Sequence, residues 1–312
     1  MTTTVALPKE RRVRTLRGRE PGPRRVSRMG ILGLIPFVVF SLVLGVYPFL
    51  QVIRMSLSHI ELTGGGFQFS WAGTENFRRI LTTADSWQAI LNTVVFIAAT
   101  VAGSVLVGVI VALLVSRAVV MLPFARNVLI WPAVIAPVVI SLLWLLILSP
   151  TAGGLNKVLG SLGLAEQSWL NSGPGAMTSL IVVDIWHWTP VVFLFVYAAL
   201  QAISEEVLEA ARMDGASEFQ ILRHVVLPLL VPAIAAVAVI RVIMGVKVFD
   251  EMYLLTAGGP NGATTLVSQR IQIWFFQDLR FGDASAFSLI VIAATVVVLV
   301  LFLLTRSRLA RS

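Results

Sequence analysis

The stretch Glu209-Ala210-Ala211-Arg212-Met213-Asp214-Gly215, followed by Val225-Val226-Leu227-Pro228, is a charged, helix-breaking island between two long apolar segments. Those segments, roughly 177–202 and 231–255, each exceed the ~20 residues a helix needs to cross about 30 Å of hydrocarbon. Similar runs recur along almost the whole chain after Met29. Hydrophobic residues make up 57% of the 312, charged residues only 13%, and the mean hydropathy is +0.88. A soluble domain cannot bury that much apolar surface, so an all-α membrane protein is predicted. A β-barrel would show short alternating strands, and the continuous Val/Leu/Ile/Ala runs lack a period of two.

Six transmembrane helices are predicted, over roughly 30–53, 87–116, 125–148, 177–202, 231–255 and 284–305. An even number places both termini on one side. That side collects 16 of the 24 Lys and Arg, against 6 on the other, with Arg241 and Lys247 inside span five. Cytoplasmic loops carry the excess of cations, so both termini are predicted to be cytoplasmic. The resulting divisions are a basic, flexible tail over 1–29, a transmembrane domain over 30–306 with the charged loop at 203–230, and a short cytoplasmic tail over 307–312.

A net charge of +8 and a pI near 10.9 raise the question of nucleic acid. Nine of the basic residues, however, crowd between Lys9 and Arg28, directly before the first span, where cations obey the insertion rule and meet anionic headgroups. No nucleic-acid partner is expected; membrane lipid is. Span one is too long for the apolar core of a cleaved signal peptide and has no small-residue cleavage site after it, so it reads as a signal-anchor.

The catalytic inventory is thin. The absence of cysteine excludes disulfides, thiolate metal sites and thiol nucleophiles. His59, His187 and His224 lie far apart with no ligand spacing around them. A phosphate-binding loop needs glycine before lysine, whereas Lys9, Lys157 and Lys247 follow Pro8, Asn156 and Val246. Neither a metal nor a nucleotide cofactor is expected on this chain, so uphill transport would take its energy from a partner or an ion gradient. An ion-coupled secondary transporter of a small polar solute is the alternative reading, and it would carry ionisable residues in several spans. Here they are sparse. Span four holds Asp184 beside Trp186, His187 and Trp188, and span five holds Arg241, Lys247, Asp250 and Glu251. Lys247 reaches Asp250 at i+3 and Glu251 at i+4, which reads either as internal neutralisation or as a polar pathway.

Prolines at 123, 132, 137 and 190 predict kinks or broken helices in spans three and four. Ser104, Gly108 and Ala112 in span two have small-xxx-small spacing and predict close helix packing. Large outer loops over 149–176 and 256–283 exceed what helix connection requires, and Asn156 to Leu159 begin a short interfacial helix. Gly64-Gly65-Gly66 in the first outer loop reads as a flexible turn.

The loop after span four is patterned. Ser204 is placed to cap a helix running to Met213, with Glu205 and Glu206 on its N-terminal dipole. Asp214-Gly215 end it. Ser217-x-x-Gln220 has the capping-box pattern of a second helix, with Phe219, Leu222 and Val226 on one face, stopped by Pro228. A rigid helix-turn-helix hung from two spans can carry force; an ordinary interfacial hairpin is the plainer alternative.

Glu209-Ala210-Ala211, Gly215 and Val225-x-Leu227-Pro228, at this spacing, resemble the EAA signature of bacterial binding-protein-dependent ABC importer permeases. Glu75-Asn76-Phe77, the segment Pro150 to Asn156, Phe249-Asp250, the segment Thr256 to Pro260 and Gly282 to Ala286 are similar to its carbohydrate-uptake branch, the maltose and glycerol-3-phosphate type permeases. The resemblance implies a type I ABC importer permease fold in the bacterial cytoplasmic membrane. Implied partners are a second, homologous permease, an ABC ATPase dimer that binds ATP and Mg, and an extracytoplasmic solute-binding protein delivering a carbohydrate. It implies ATPase coupling through Glu209, Ala210, Ala211, Asp214, Gly215, Leu227 and Pro228. It also implies a substrate pathway near Trp186, His187, Lys247, Phe249, Asp250 and Tyr253.

Overall fold

Apolar runs become helices because a chain in lipid must satisfy every backbone N–H and C=O internally. The computed structural model describes residues 28–117, 122–151 and 153–309. The basic tail expected over 1–29 lies outside these residues except for its last two, and of the expected tail over 307–312 only the first three are described, where they continue a helix.

Packing divides the chain into two units, Met1–Leu50 and Gln51–Ser312. In the first unit, α1 (Arg28–Ser41) passes through a π-turn at Leu42–Val46 into the start of α2 (Tyr47–Ser56). Gly33–Ser56 is apolar enough and long enough to cross a membrane.

In the second unit α2 ends at Ser56 and an antiparallel hairpin follows, β1 (Ser58–Thr63) with β2 (Gly66–Trp71). The predicted all-α fold thus carries a small sheet, turned at Gly64-Gly65, with Gly66 at φ +118 opening β2. Then come α3 (Glu75–Thr82), α4 (Ala84–Arg117), α5 (Leu122–Val134), α6 (Pro137–Ile147), α7 (Gly154–Ser161) and α8 (Gly173–Gln201). The chain continues through α9 (Glu205–Met213), α10 (Glu218–Ile221), α11 (Leu227–Val246), α12 (Asp250–Leu255), α13 (Val267–Gln272) and α14 (Phe281–Leu309). Among the described residues five unbroken helices are long and apolar enough to span, and the bent pair α5–α6 makes a sixth when its two limbs are counted as one span.

One expected span breaks at a proline as predicted, and another needs correction. Span three is not one rod: Asn127–Val134 and Pro137–Ile147 meet at 101°. Pro137 has no N–H and drives Ala136 out of the helical region, to φ −60, ψ 138. Span five was expected over 231–255, stopped short of the loop by Pro228. Instead Glu218–Val246 is one continuous helix, and the break comes after Val246. A π-turn at Leu222–Val226, in which the Leu227 N–H bonds Leu222 O, widens the backbone before Pro228, so the ring is accommodated rather than terminating. Pro190 likewise sits inside the unbroken α8.

The packing seam is α4 against α8. A Cβ on Gly108 would stand 2.6 Å from Val192 Cγ1, so only glycine admits this approach, and Ser104 and Ala112 beside it are fully buried.

Candidate functional site

Two parts of the second unit concentrate chemistry, an elbow at 203–230 and a break in span five at 246–250. In the elbow, Ser204 stands at the N-cap of α9, but its side chain makes no capping bond, so Glu205 and Glu206 are what complement the helix N-terminus. The far end is a complete Schellman closure: the Gly215 N–H bonds Arg212 O at 3.0 Å and the Ala216 N–H bonds Ala211 O at 3.1 Å. Gly215 takes φ +80 with open space where a Cβ would be, so the demand for glycine is conformational, not steric. The capping box forms as expected: Ser217 Oγ accepts the Gln220 N–H, and Gln220 Oε1 accepts the Ser217 N–H at 2.8 Å. Arg212 Nε donates to Glu218 Oε1 at 2.9 Å across the turn, and this bond raises the guanidinium above its ordinary range.

Leu208, Ala211 and Ala216 turn inward onto a core of Ala112, Val196, Tyr197, Ile221 and Val226. Phe219 does not share the face of Leu222 and Val226; it is 68% exposed. The π-turn adds a residue to that turn and shifts the register, so Ile221 is the residue in line with Val226. Val207, Met213 and Phe219 are left as exposed apolar side chains on the elbow, where Glu209 and Ala210 are exposed too. A cleft of about 720 Å³, bordered by Tyr197, Gln201, Arg212 and Glu218, lies beneath the elbow.

At the break, α11 ends at Val246, Lys247 occupies the C-cap, and α12 begins with Asp250 and Glu251 in its first turn. Lys247 does not neutralise the two acids. Each charge instead sits at the helix end whose dipole favours it. Among the described residues Glu251 pairs with His187, Nδ1 to Oε1 at 3.0 Å, both buried. The fully buried Arg241 guanidinium pairs with Asp184, and its Nε donates to Ser104 Oγ at 3.3 Å. Trp188 joins the two pairs: it stacks on His187 at 4.4 Å, and Arg241 lies 5.7 Å from its ring centroid. Charges so deep persist only when paired. Together they tie α4, α8, α11 and α12, and α12 also packs on α6, the second limb of the bent pair.

The chain matches the family described as "Binding-protein-dependent transport system inner membrane component" over residues 104–310. It belongs to that family. It is similar to the trehalose/maltose transport system permease protein MalF of Thermococcus litoralis, 30% identical, covering 88% of this chain and 91% of that one. It is also similar to the sn-glycerol-3-phosphate transport system permease protein UgpA of Brucella abortus, 30% identical over 84% and 89%. Its fold matches a bacterial ABC transporter importing the acidic polysaccharide alginate, with TM-score 0.76 at 24% identity over 91% and 95% of the chains. The chain is therefore an inner-membrane transport component, a permease rather than a catalytic subunit.

Of the pathway residues expected in the permease, four gather at the break. Lys247 is exposed, Phe249 and Asp250 are half-buried, Tyr253 is 42% exposed, and the Phe249 and Tyr253 rings stack at 5.2 Å. His187 is buried behind them on Glu251. Trp186 stands apart: it meets Trp144 edge-on at 5.6 Å and lines a separate cavity of about 630 Å³ with Trp131, Pro132 and Pro190. Of the residues expected to couple to an ATPase, Glu209, Ala210, Asp214 and Gly215 are exposed on the elbow, Ala211 is half-buried against the core, and Leu227 and Pro228 lie in the continuous helix above it.

Residues that the sequence left without a role prove to hold the loops at the end opposite the elbow. Asn76 Nδ2 donates to Ser56 O and Ser58 O, both at 2.9 Å. Asn92 Nδ2 donates to Gly262 O and Thr265 O, both at 3.0 Å. Asn156 Nδ2 reaches Gln167 O at 3.0 Å while its Oδ1 accepts from Trp169 Nε1 at 2.9 Å. Asp283 binds Arg280 at 2.7 Å. Asn76, Asn156 and Asp283 fall inside motifs the resemblance had picked out, the one signal by which they were traceable.

Proposed function

We propose that this permease is the membrane subunit of an ATP-driven importer of a sugar or related carbohydrate, working by alternating access. A second, homologous permease completes the pore, an ABC ATPase dimer binds ATP and Mg and docks on the exposed surface of the elbow, and a solute-binding protein delivers the carbohydrate. The relatives named for trehalose/maltose and glycerol-3-phosphate transport support the substrate class. One solved relative in complex with a pentasaccharide-bound periplasmic protein supports the delivery partner.

The observation that carries the coupling is continuity. Glu218–Val246 is a single helix, about 40 Å long at 1.5 Å per residue, joining the elbow to the break. Because Schellman closure and capping box stiffen the elbow, a push there is not absorbed by uncoiling; it shifts α11 and with it the Lys247, Phe249, Asp250 and Tyr253 face. Closure of the ATPases can drive this only by binding one arrangement of the two permeases better than the other.

The chain has no cysteine, so single cysteines at Ala210 and Met213 provide clean crosslinking sites. Crosslinks to a nucleotide-hydrolysing subunit, together with uptake that requires it, are expected. Vesicles that accumulate solute without any ATPase would establish the ion-coupled carrier instead.

A further inference from the structure

The hairpin β1–β2 has two chemically different faces. Its register pairs Ile60 with Phe69 and Leu62 with Phe67, and Ser58 with Trp71, so Ile60, Leu62, Phe67, Phe69 and Trp71 share one side. His59, Glu61, Gln68 and Ser70 share the other. The apolar side is bare: Leu62 is 54% exposed, Phe67 55% and Trp71 79%. A two-stranded hairpin is marginal in water alone, and leaving such a face wet is unfavourable.

Its depth is set by its root. Asn76 holds the carbonyls of Ser56 and Ser58, and Gly282 approaches so closely that a Cβ there would stand 2.7 Å from both Asn76 Nδ2 and Ser58 O. Gly282 is the second residue of α14, one of the membrane-spanning helices, so the hairpin leaves the protein where that span begins. The apolar side continues onto the span: Phe67 meets Phe281 edge-on at 5.2 Å, and Phe281 meets Phe275 at 5.0 Å. Beside them Phe276 and Leu279 are exposed, and the Arg54 guanidinium sits 4.3 Å above Phe69. Rings with one guanidinium at the end of a spanning helix suit the boundary between acyl chains and phospholipid headgroups.

We propose that this hairpin lies in the membrane interface at the end of the bundle opposite the elbow, its Ile60, Leu62, Phe67, Phe69 and Trp71 face sunk among lipid and Arg54 at the headgroup phosphates. The inserted face anchors the root of the first outer loop, and through Asn76 and Gly282 it fixes the height at which α14 enters the bilayer.

The assembled complex, reconstituted in phosphatidylethanolamine and phosphatidylglycerol vesicles, tests this with nitroxide labels on single cysteines replacing Leu62, Phe67, Trp71, Glu61, Gln68 and Ser70. Collisional access to oxygen and to a water-soluble nickel chelate is measured at each. Labels at 62, 67 and 71 should favour oxygen severalfold over labels at 61, 68 and 70, alternating residue by residue along each strand. Uniform nickel access on both faces overturns the proposal. So does loss of access at 62, 67 and 71 only when the solute-binding protein is added, since that marks a protein-docking face. If a label at 71 impairs assembly, positions 62 and 67 on the same face decide the question.

Discussion

The elbow at 203–230 and the break at 246–250 lie at the two ends of one helix and are held by opposite means. In the elbow the polar contacts that shape the turn are local: the hydrogen bonds of the Schellman closure and the capping box span no more than five residues, and the ion pair of Arg212 with Glu218 is exposed, while only apolar side chains reach distant helices. At the break the contacts join distant parts of the chain, and they are buried: Asp184 to Arg241, Glu251 to His187, Ser104 to Arg241. The proposed docking segment fixes its turn with its own backbone and neighbouring side chains. The segment proposed to rearrange takes its polar partners from distant helices.

The contrast makes quantitative demands. Removing one partner of a buried pair leaves an unpaired charge, so Arg241→Leu or Asp184→Leu should cost about 3–5 kcal/mol, read as a large drop in the Tm of the purified complex. The double leucine variant should recover most of that loss; if it is as unstable as either single variant, the pair is not what holds the break.

Glu251→Ala strands the buried His187 Nδ1 without its partner, at a cost of about 1–3 kcal/mol. Glu251→Gln keeps an acceptor and should stay closer to the native protein in both Tm and uptake. Equal damage from the two would mean that the negative charge, and not the hydrogen bond, locates α12.

At Gly215 the φ of +80 sets a graded expectation. Gly215→Val should strain the turn by about 1–2 kcal/mol, and asparagine, which visits this region more readily, by less. Transport and ATPase stimulation should fall in the order Gly, Asn, Val while membrane abundance stays near normal. Gly215→Asp should abolish both activities, because it adds charge to the proposed docking surface. Full uptake by that variant would remove Gly215 from the coupling role.

Ser217→Ala deletes one half of the capping box, about 1 kcal/mol and confined to the first turn of α10. Faster hydrogen exchange at Glu218 to Ile221, with none at α12, is the expected readout. Smallest in stability is Asp250→Ala, half-buried and outside every ion pair among the described residues. Its Tm should hardly move while uptake kinetics or substrate range change. Unchanged kinetics would leave Asp250 as a helix-end charge alone.

Much of the elbow was legible from residue order. Asp214-Gly215 as a terminus and Ser217-x-x-Gln220 as a box are short-range patterns, and both formed. The errors there were also local: Ser204 makes no side-chain cap, and Pro228 does not end a helix, because a π-turn was inserted that no period of 3.6 anticipates. The break was legible only as a cluster of charges. Lys247, Asp250 and Glu251 looked like each other's partners at i+3 and i+4, but the acid that is buried found His187, and Arg241 found Asp184, each across more than fifty positions of chain.

Apolar length and the lack of a two-residue period were enough to establish a helical membrane protein, Pro137 marked where span three bends, and the Glu209-to-Pro228 spacing pointed to its family. These are properties of single segments meeting lipid or water, and residue order contains them. Which buried charges pair, where span five breaks, and which residues share a face at that break were decided in three dimensions. A charge in hydrocarbon takes whichever counter-charge the packing of α4, α8, α11 and α12 brings within reach, and separation along the chain does not enter into that choice.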